Sequence, residues 1–569
     1  MSCESEEVLR LRTAEQIRGA MNCCGRMRSR MRRRDNKPVC AAADLGRKTA
    51  MKKIAFYDGW SFGQAGEEKR PVTLPHDAML SGGRDASSPT GSAGAFFQAG
   101  VYEYEKTIDI PAEGGPATAI LEFEGVMRGA KVYVNDVEAG GAAYGYIPFR
   151  VNLGAYVTPG GANVIRVVAD NSAQPASRWY AGGGIYRPVW LWSGGKTVIA
   201  PDGVRVTTRS IDPPSAEVEV RTLGAQTAQD LTARVEIQIC DAAPVCAEIS
   251  IGADGRAKAV IDLPGAGLWS EETPNLYTCR VVLMDNGRII DTAETLFGLR
   301  QVSWSSEGLF INGKNTLLRG GCVHHDNGLL GAASFDVSEY RRVKKLKEAG
   351  YNAIRSSHNP CSRASWAWSG CDGNEAVIEV YSSAPSVEVF LNGESLGKAD
   401  TAECKASFTA AYAPGALEAV AYDAKGAETG RSRLVSAKGE LSVQLAAEKP
   451  ETAFDDFCSS ENEEDIAGET WDCRASDGEI VYVNVAIADA DGVVESNADA
   501  ALTASVTGGE LLAFGSANPR TEEDYLSGTF TTYYGRAQAI VRRAAGTKAL
   551  LTVTGTAADG TEYRSNLNV

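Results

Sequence analysis

No apolar run in the sequence approaches the roughly 20 residues that a membrane-spanning helix needs, so no membrane partner is expected. Positive charge is scarce. The 57 Lys+Arg stand against 73 Asp+Glu, a formal charge of −16, which argues against nucleic acid because a phosphate backbone calls for a basic footprint. Histidine is rarer still, at 4 in 569 residues. The 13 cysteines are odd in number and lack the paired spacing of a metal site. Cys240 and Cys246 could flank a hairpin, but a reduced chain in a cytoplasmic setting is the simpler reading. No cofactor is expected.

What is present fits a multidomain globular chain: 44% hydrophobic and 23% charged residues, with 60 glycines separating many short apolar runs. Its length is too great for one core and suggests roughly three to five domains. Residues 1–50 stand apart as a basic leader. Arg26, Arg28, Arg30, Arg32, Arg33 and Arg34 crowd together with no apolar segment behind them, unlike a secretory signal. A basic arm or transit-like peptide is one reading; the plainer one is that the folded protein starts at Met51.

From residue 51 to 198 short strands alternate with period two, as in Lys131-Val132-Tyr133-Val134-Asn135, and glycine-rich turns separate them. This predicts a jelly-roll sandwich. Residues 199–300 continue the alternation, and two clear strands, 216–221 and 233–239, predict an immunoglobulin-like sandwich. The pattern changes within 301–364. Leu317-Leu318-Arg319-Gly320-Gly321 reads as a buried strand, and Asp336 with Glu339 has the spacing of a capping box. A helix with the stripe Tyr340, Val343 and Leu346 follows, stopped by Gly350, and then a strand at 351–355. This is the chain's one β-α-β unit. Two further β units are expected over 365–440 and 441–569.

Several ordered pieces resemble glycoside hydrolase family 2: LPHDA (74–78), FEGVMRGAKVYVN (123–135), DNSAQPASRWYAGGGIYRPVWL (170–191), LWSEETPNLYTC (268–279), FGLRQV (297–302), GLFINGKNTLLRGGCVHHD (308–326), NAIRSSHNP (352–360), YSSAPSVEVFLNGESLG (381–397) and LLAFGSANPRTEEDY (511–525). The resemblance implies a mainly β, multidomain protein. Its parts would be a jelly-roll sugar-binding sandwich, an immunoglobulin-like sandwich, a (β/α)8 barrel and two C-terminal immunoglobulin-like sandwiches. It also implies a retaining glycosidase acting on β-galactosides or related β-glycosides. Such a mechanism uses two glutamates about 5–5.5 Å apart, one as acid/base and one as nucleophile. A barrel takes roughly 250 residues, whereas the β-α-β segment holds 57 between Gly308 and Ala364. Only a remnant of the barrel is expected, without either catalytic glutamate, and the chain alone should be inactive. The alternative is a non-catalytic carbohydrate-binding or scaffold protein. Homo-oligomerisation stays open.

By the same resemblance, Asp170, His324, Arg355 and His358 would line the sugar subsite, a role that suits groups able to hydrogen-bond sugar hydroxyls. With the barrel gone they could equally be plain surface polar residues. Asn374-Glu375 mimics the family's acid/base pair but precedes a strand instead of ending one, so Glu375 is read as non-catalytic. His324, His325, Asp326 and His358 have metal-binding chemistry, but adjacent histidines on an extended strand end point to opposite sides, and no metal is expected. Gly182-Gly183-Gly184 precedes a strand, not the helix a phosphate loop requires, and reads as a backbone turn. Trp179, Tyr180 and Tyr186 could stack on a sugar, but packing at the sandwich edge is the better reading.

Overall fold

The computed structural model describes residues 50–569 except 112–116, 174–178, 229, 240–242, 357–371, 374, 383, 403–404, 449–478, 519–520, 545 and 558–559. The leader, His358 and Cys240 therefore lie outside the described residues.

Period-two alternation becomes sheet wherever one face can be buried. In the first sandwich, Val101–Ile110 buries Tyr102, Tyr104, Ile108 and Ile110 and turns Glu103, Glu105, Thr107 and Asp109 outward. It pairs with Gly161–Asp170 in a six-stranded antiparallel sheet. A four-stranded sheet containing Thr118–Phe123 and Val189–Gly194 faces it, and Trp60, Leu121, Phe123, Val132 and Val167 fill the space between. The second unit sets the three strands Val198–Ile211, Pro214–Leu223 and Arg256–Asp262 against a four-stranded sheet, with Val218, Val235, Ile237, Val281 and Leu283 inside. Two more sandwiches follow. One has Ile378, Val380, Val387, Val389 and Leu417 at its centre, and the last has Val483, Leu502, Phe514, Phe530 and Val553. In each, one contiguous cluster of alternating strand residues supplies the core.

Between the second and third sandwiches lies the β-α-β remnant. Gly320–Val323 pairs with Ala353–Ser356, the one parallel ladder among the described strands, and the helix Asp336–Glu348 connects them. Gly350 stops that helix with φ +86°. Its N–H donates to the Lys347 carbonyl, and the Tyr351 N–H donates to that of Leu346, which together form a Schellman closure.

Two expectations for this unit are corrected. Leu317 and Leu318 are 72% and 54% exposed and precede the strand, because a two-stranded remnant offers them no opposing layer. The helix start is also not secured by the Asp336/Glu339 spacing. Phe335 occupies the N-cap, and the Ser338 hydroxyl accepts from the Phe335 N–H and donates to its carbonyl. Glu339 is engaged elsewhere, accepting from Asn327, Ser334 and Arg342.

The remnant is wedged between the first and last sandwiches. Leu329, Leu330 and Ala333 pack with Ile480, Tyr482, Ala513 and Ile540. Arg341 makes a two-pronged ion pair with Glu448 at 2.6 and 2.9 Å and lies over the Tyr482 ring. Arg84 of the first sandwich reaches the last one too, donating to the Thr521 carbonyl and stacking on Tyr525.

Candidate functional site

The candidate site is the junction where loop 179–184 of the first sandwich meets residues 324–333, which follow the first parallel strand. At its base sits Asp77, 3% exposed. Its carboxylate accepts four hydrogen bonds: from the N–H groups of Met79 (3.1 Å), Gly183 (3.0 Å) and Ala332 (2.7 Å), and from the Tyr180 hydroxyl (2.6 Å). Burial pushes its pKa up, and the four donors pull it back. A buried carboxylate persists only when so satisfied.

The glycine run is explained here. A Cβ on Gly182 would come within 2.4 Å of the Ala332 Cβ, and one on Gly331 within 2.3 Å of Asp77 Oδ2. Both glycines also have positive φ, 72° and 59°. The turn reading of 182–184 holds, and the anion that the Gly183 N–H meets is the protein's own Asp77.

Above this base, the Trp179 ring stacks on His324 with centroids 4.3 Å apart, and its Nε1 donates to Asp326 at 2.9 Å. His325 Nε2 lies 3.1 Å from the Ala181 carbonyl, and its ring meets Tyr146 edge-on. The two adjacent histidines thus make different contacts. Burial, the main cause, lowers the pKa of His325. Tyr180 and Tyr186 are buried in the sandwich core, in agreement with the packing reading, whereas Trp179 is half-buried.

Asp170 is exposed at the end of Gly161–Asp170 and accepts from the Ser172 N–H and hydroxyl, which hold its pKa down. Arg355 is exposed on the second parallel strand and contacts Cys322 Sγ at 3.4 Å. Gly321, paired with Ile354, faces Leu346 of the helix, so Cys322 and Arg355 face the opposite side, where a barrel interior would lie. Glu375 is exposed and opens an antiparallel strand paired with Ala411. Of the four residues proposed for sugar contact, three are described: Asp170 is held within its own segment by Ser172, whereas His324 and Arg355 meet Trp179 and Cys322 from other segments. The sequence reading used LPHDA only as a point of resemblance and missed Asp77 as the hub. The signal was an aspartate embedded in the apolar run Ala78-Met79-Leu80.

Comparison with known proteins gives three family matches. Residues 199–300 match "Glycosyl hydrolases family 2", residues 469–563 match "Glycoside hydrolase family 2 C-terminal domain 5", and residues 373–430 match a domain of unknown function. A beta-galactosidase of Bacteroides ovatus is 35% identical over 307 residues, which is 52% of this chain and 36% of that protein. A beta-glucuronidase of Bacteroides fragilis is 29% identical over 332 residues, 54% of this chain and 46% of that protein. The chain thus spans less than half the length of these relatives. The crystal structure of a glycosyl hydrolase family 2 member from Bacteroides cellulosilyticus superposes with a TM-score of 0.77 at 19% identity, covering 91% of this chain and 100% of that one, a likeness of fold.

Proposed function

We propose that this chain, which matches glycoside hydrolase family 2 over residues 199–300 and 469–563, handles β-galactosides or related β-glycosides but lacks both catalytic glutamates and so binds such sugars without hydrolysing them on its own. The observation that carries this reading is the interval between the second parallel strand, ending at Ser356, and the antiparallel strand that starts at Glu375. Those 18 intervening residues stand where the rest of a barrel of roughly 250 residues would be. Barrel chemistry sits at the C-terminal ends of several different strands, and two strands cannot hold a pair of carboxyls on opposite sides of a glycosidic bond.

Sugar contact would then fall to Asp170, His324 and Arg355, together with His358. Arg355 supplies a planar fork of donors, Asp170 an acceptor, and the His324 ring is held by its stack on Trp179. The unpaired thiols of Cys246, Cys279 and Cys322 go with a reducing, cytoplasmic setting.

A scaffold role is the second reading, favoured by one feature: the remnant is bonded to the first sandwich through Asp77 and to the last through Glu448. Titration with a nitrophenyl β-galactoside separates the two. Saturable binding that weakens in Arg355→Ala supports sugar handling, and the absence of any binding leaves the scaffold.

A further inference from the structure

A pocket of about 370 Å³, open to solvent on one side, lies on the helix side of the parallel strand pair against the first sandwich. It is not the face that carries Arg355. Val323 and Ile354, which line it, share the face of Gly321 and so point toward the helix, while Arg355 and Cys322 point away. In a complete barrel this layer between strands and helices would be apolar packing. Here Glu124 and Arg187 enter it from the sandwich and Asp336 from the helix start, and His324 and His325 line it at the strand end, so the cavity adjoins the first proposed sugar site through His324.

Three of these groups have bonding capacity to spare. Arg187 donates once, to the Tyr146 carbonyl at 3.3 Å, and stacks on Tyr186, leaving most of its five N–H donors unused among the described residues. Glu124 accepts from Trp190 Nε1 through one oxygen, and its other oxygen has no donor among the described residues. The Asp336 carboxylate has no hydrogen-bond donor among the described residues, while the neighbouring Arg342 is spent on Glu339, Asn327 and two carbonyls.

We infer that this cavity is a second carbohydrate site, taking a neutral mono- or disaccharide. Vicinal hydroxyls both donate and accept, so they can meet the carboxylates of Glu124 and Asp336 and the Arg187 fork together. The Val323, Ile354 and Pro188 wall suits the C–H face of a pyranose. The volume is within the range of ordinary ligand pockets, about 300–1,000 Å³. Two open carboxylates against one open guanidinium disfavour an anion such as a uronic acid.

The inference rests on the reading that this chain handles sugars, and the test tells the two apart. Lactose is titrated into the full chain with saturation-transfer NMR as the readout, in wild type, Arg355→Ala, Asp336→Asn and Arg187→Lys, with methyl β-glucuronide as the anionic probe. Asp336→Asn and Arg187→Lys are near-isosteric or charge-conserving, so loss of fold is a minor concern, and unchanged melting temperatures verify it. The expected result is lactose binding that weakens at least fivefold in both cavity variants and has no counterpart with the glucuronide. Binding lost in Arg355→Ala but untouched by the cavity variants overturns the second site and leaves the first reading standing. Glucuronide binding that depends on Arg187 overturns the neutral-sugar assignment, and no lactose binding by wild type overturns both.

Discussion

Asp77 and Ala332, 255 positions apart in the chain, are joined by a hydrogen bond of 2.7 Å from the Ala332 N–H to Asp77 Oδ2. With the bonds from Gly183 and Tyr180, it ties the first sandwich to the segment that bears His324 and His325. Asp77→Ala would leave four buried donors without their acceptor. We expect a loss of roughly 3–5 kcal/mol in urea unfolding. The faster amide exchange should be concentrated in 179–184 and 329–333, and exchange unchanged in those segments would show that the junction does not depend on this carboxylate.

His76, beside it, has its ring against Phe62 and Tyr104, with Nδ1 2.9 Å from the Tyr104 hydroxyl. Burial, with a smaller contribution from Arg70, lowers its pKa to about 3. The folded state therefore favours the neutral ring, and the unfolded chain takes up the proton near pH 6.5. The stability this provides is complete above that pH and declines as the pH falls toward 3. We expect His76→Phe to flatten the wild-type slope between pH 6.5 and 4.5, removing a loss of roughly 1–2 kcal/mol by pH 5. Identical slopes in the two proteins would count against this.

The Glu448 carboxylate is held at about 2, first by its hydrogen bonds from Arg341 and also by that ion's charge, with help from Asn484 and Lys345. A depressed carboxyl stabilises the fold above its unfolded pKa near 4.5 and loses that contribution as pH drops toward 2. The helix Asp336–Glu348 should part from the last sandwich in that window. Glu448→Gln should bring the same separation at neutral pH, at a cost of about 1–3 kcal/mol. Limited proteolysis within the helix reads it, and a helix equally resistant in both proteins would refute the latch.

The period-two strands were legible because a sandwich buries alternate residues of nearby hairpins, and the signal is local. Gly350 was legible for the same reason, since its positive φ belongs to one turn. The junction was not. Nothing in the spacing of LPHDA points to Ala332, and Ser338 outcompeted the expected capping pair only because Glu339 is drawn to Asn327, Ser334 and Arg342. The remnant itself is uneven in a way composition does not reveal: Leu329, Leu330 and Ala332 are buried, whereas Leu317, Leu318 and Ile354 are open. We expect amides of 320–323 and 353–356 to exchange much faster than those of 329–333 and of Val132–Val134. Equal protection throughout would mean that another partner covers the open face.

The central claim is that this chain keeps the family's sugar-handling parts without its hydrolytic chemistry. Release of nitrophenol from a nitrophenyl β-galactoside by the purified full-length chain tests it most directly, with Glu375→Gln measured alongside. No release above background in either protein is the expected result. Turnover by the wild type that disappears in Glu375→Gln would contradict the claim and make Glu375 the acid/base it resembles in sequence.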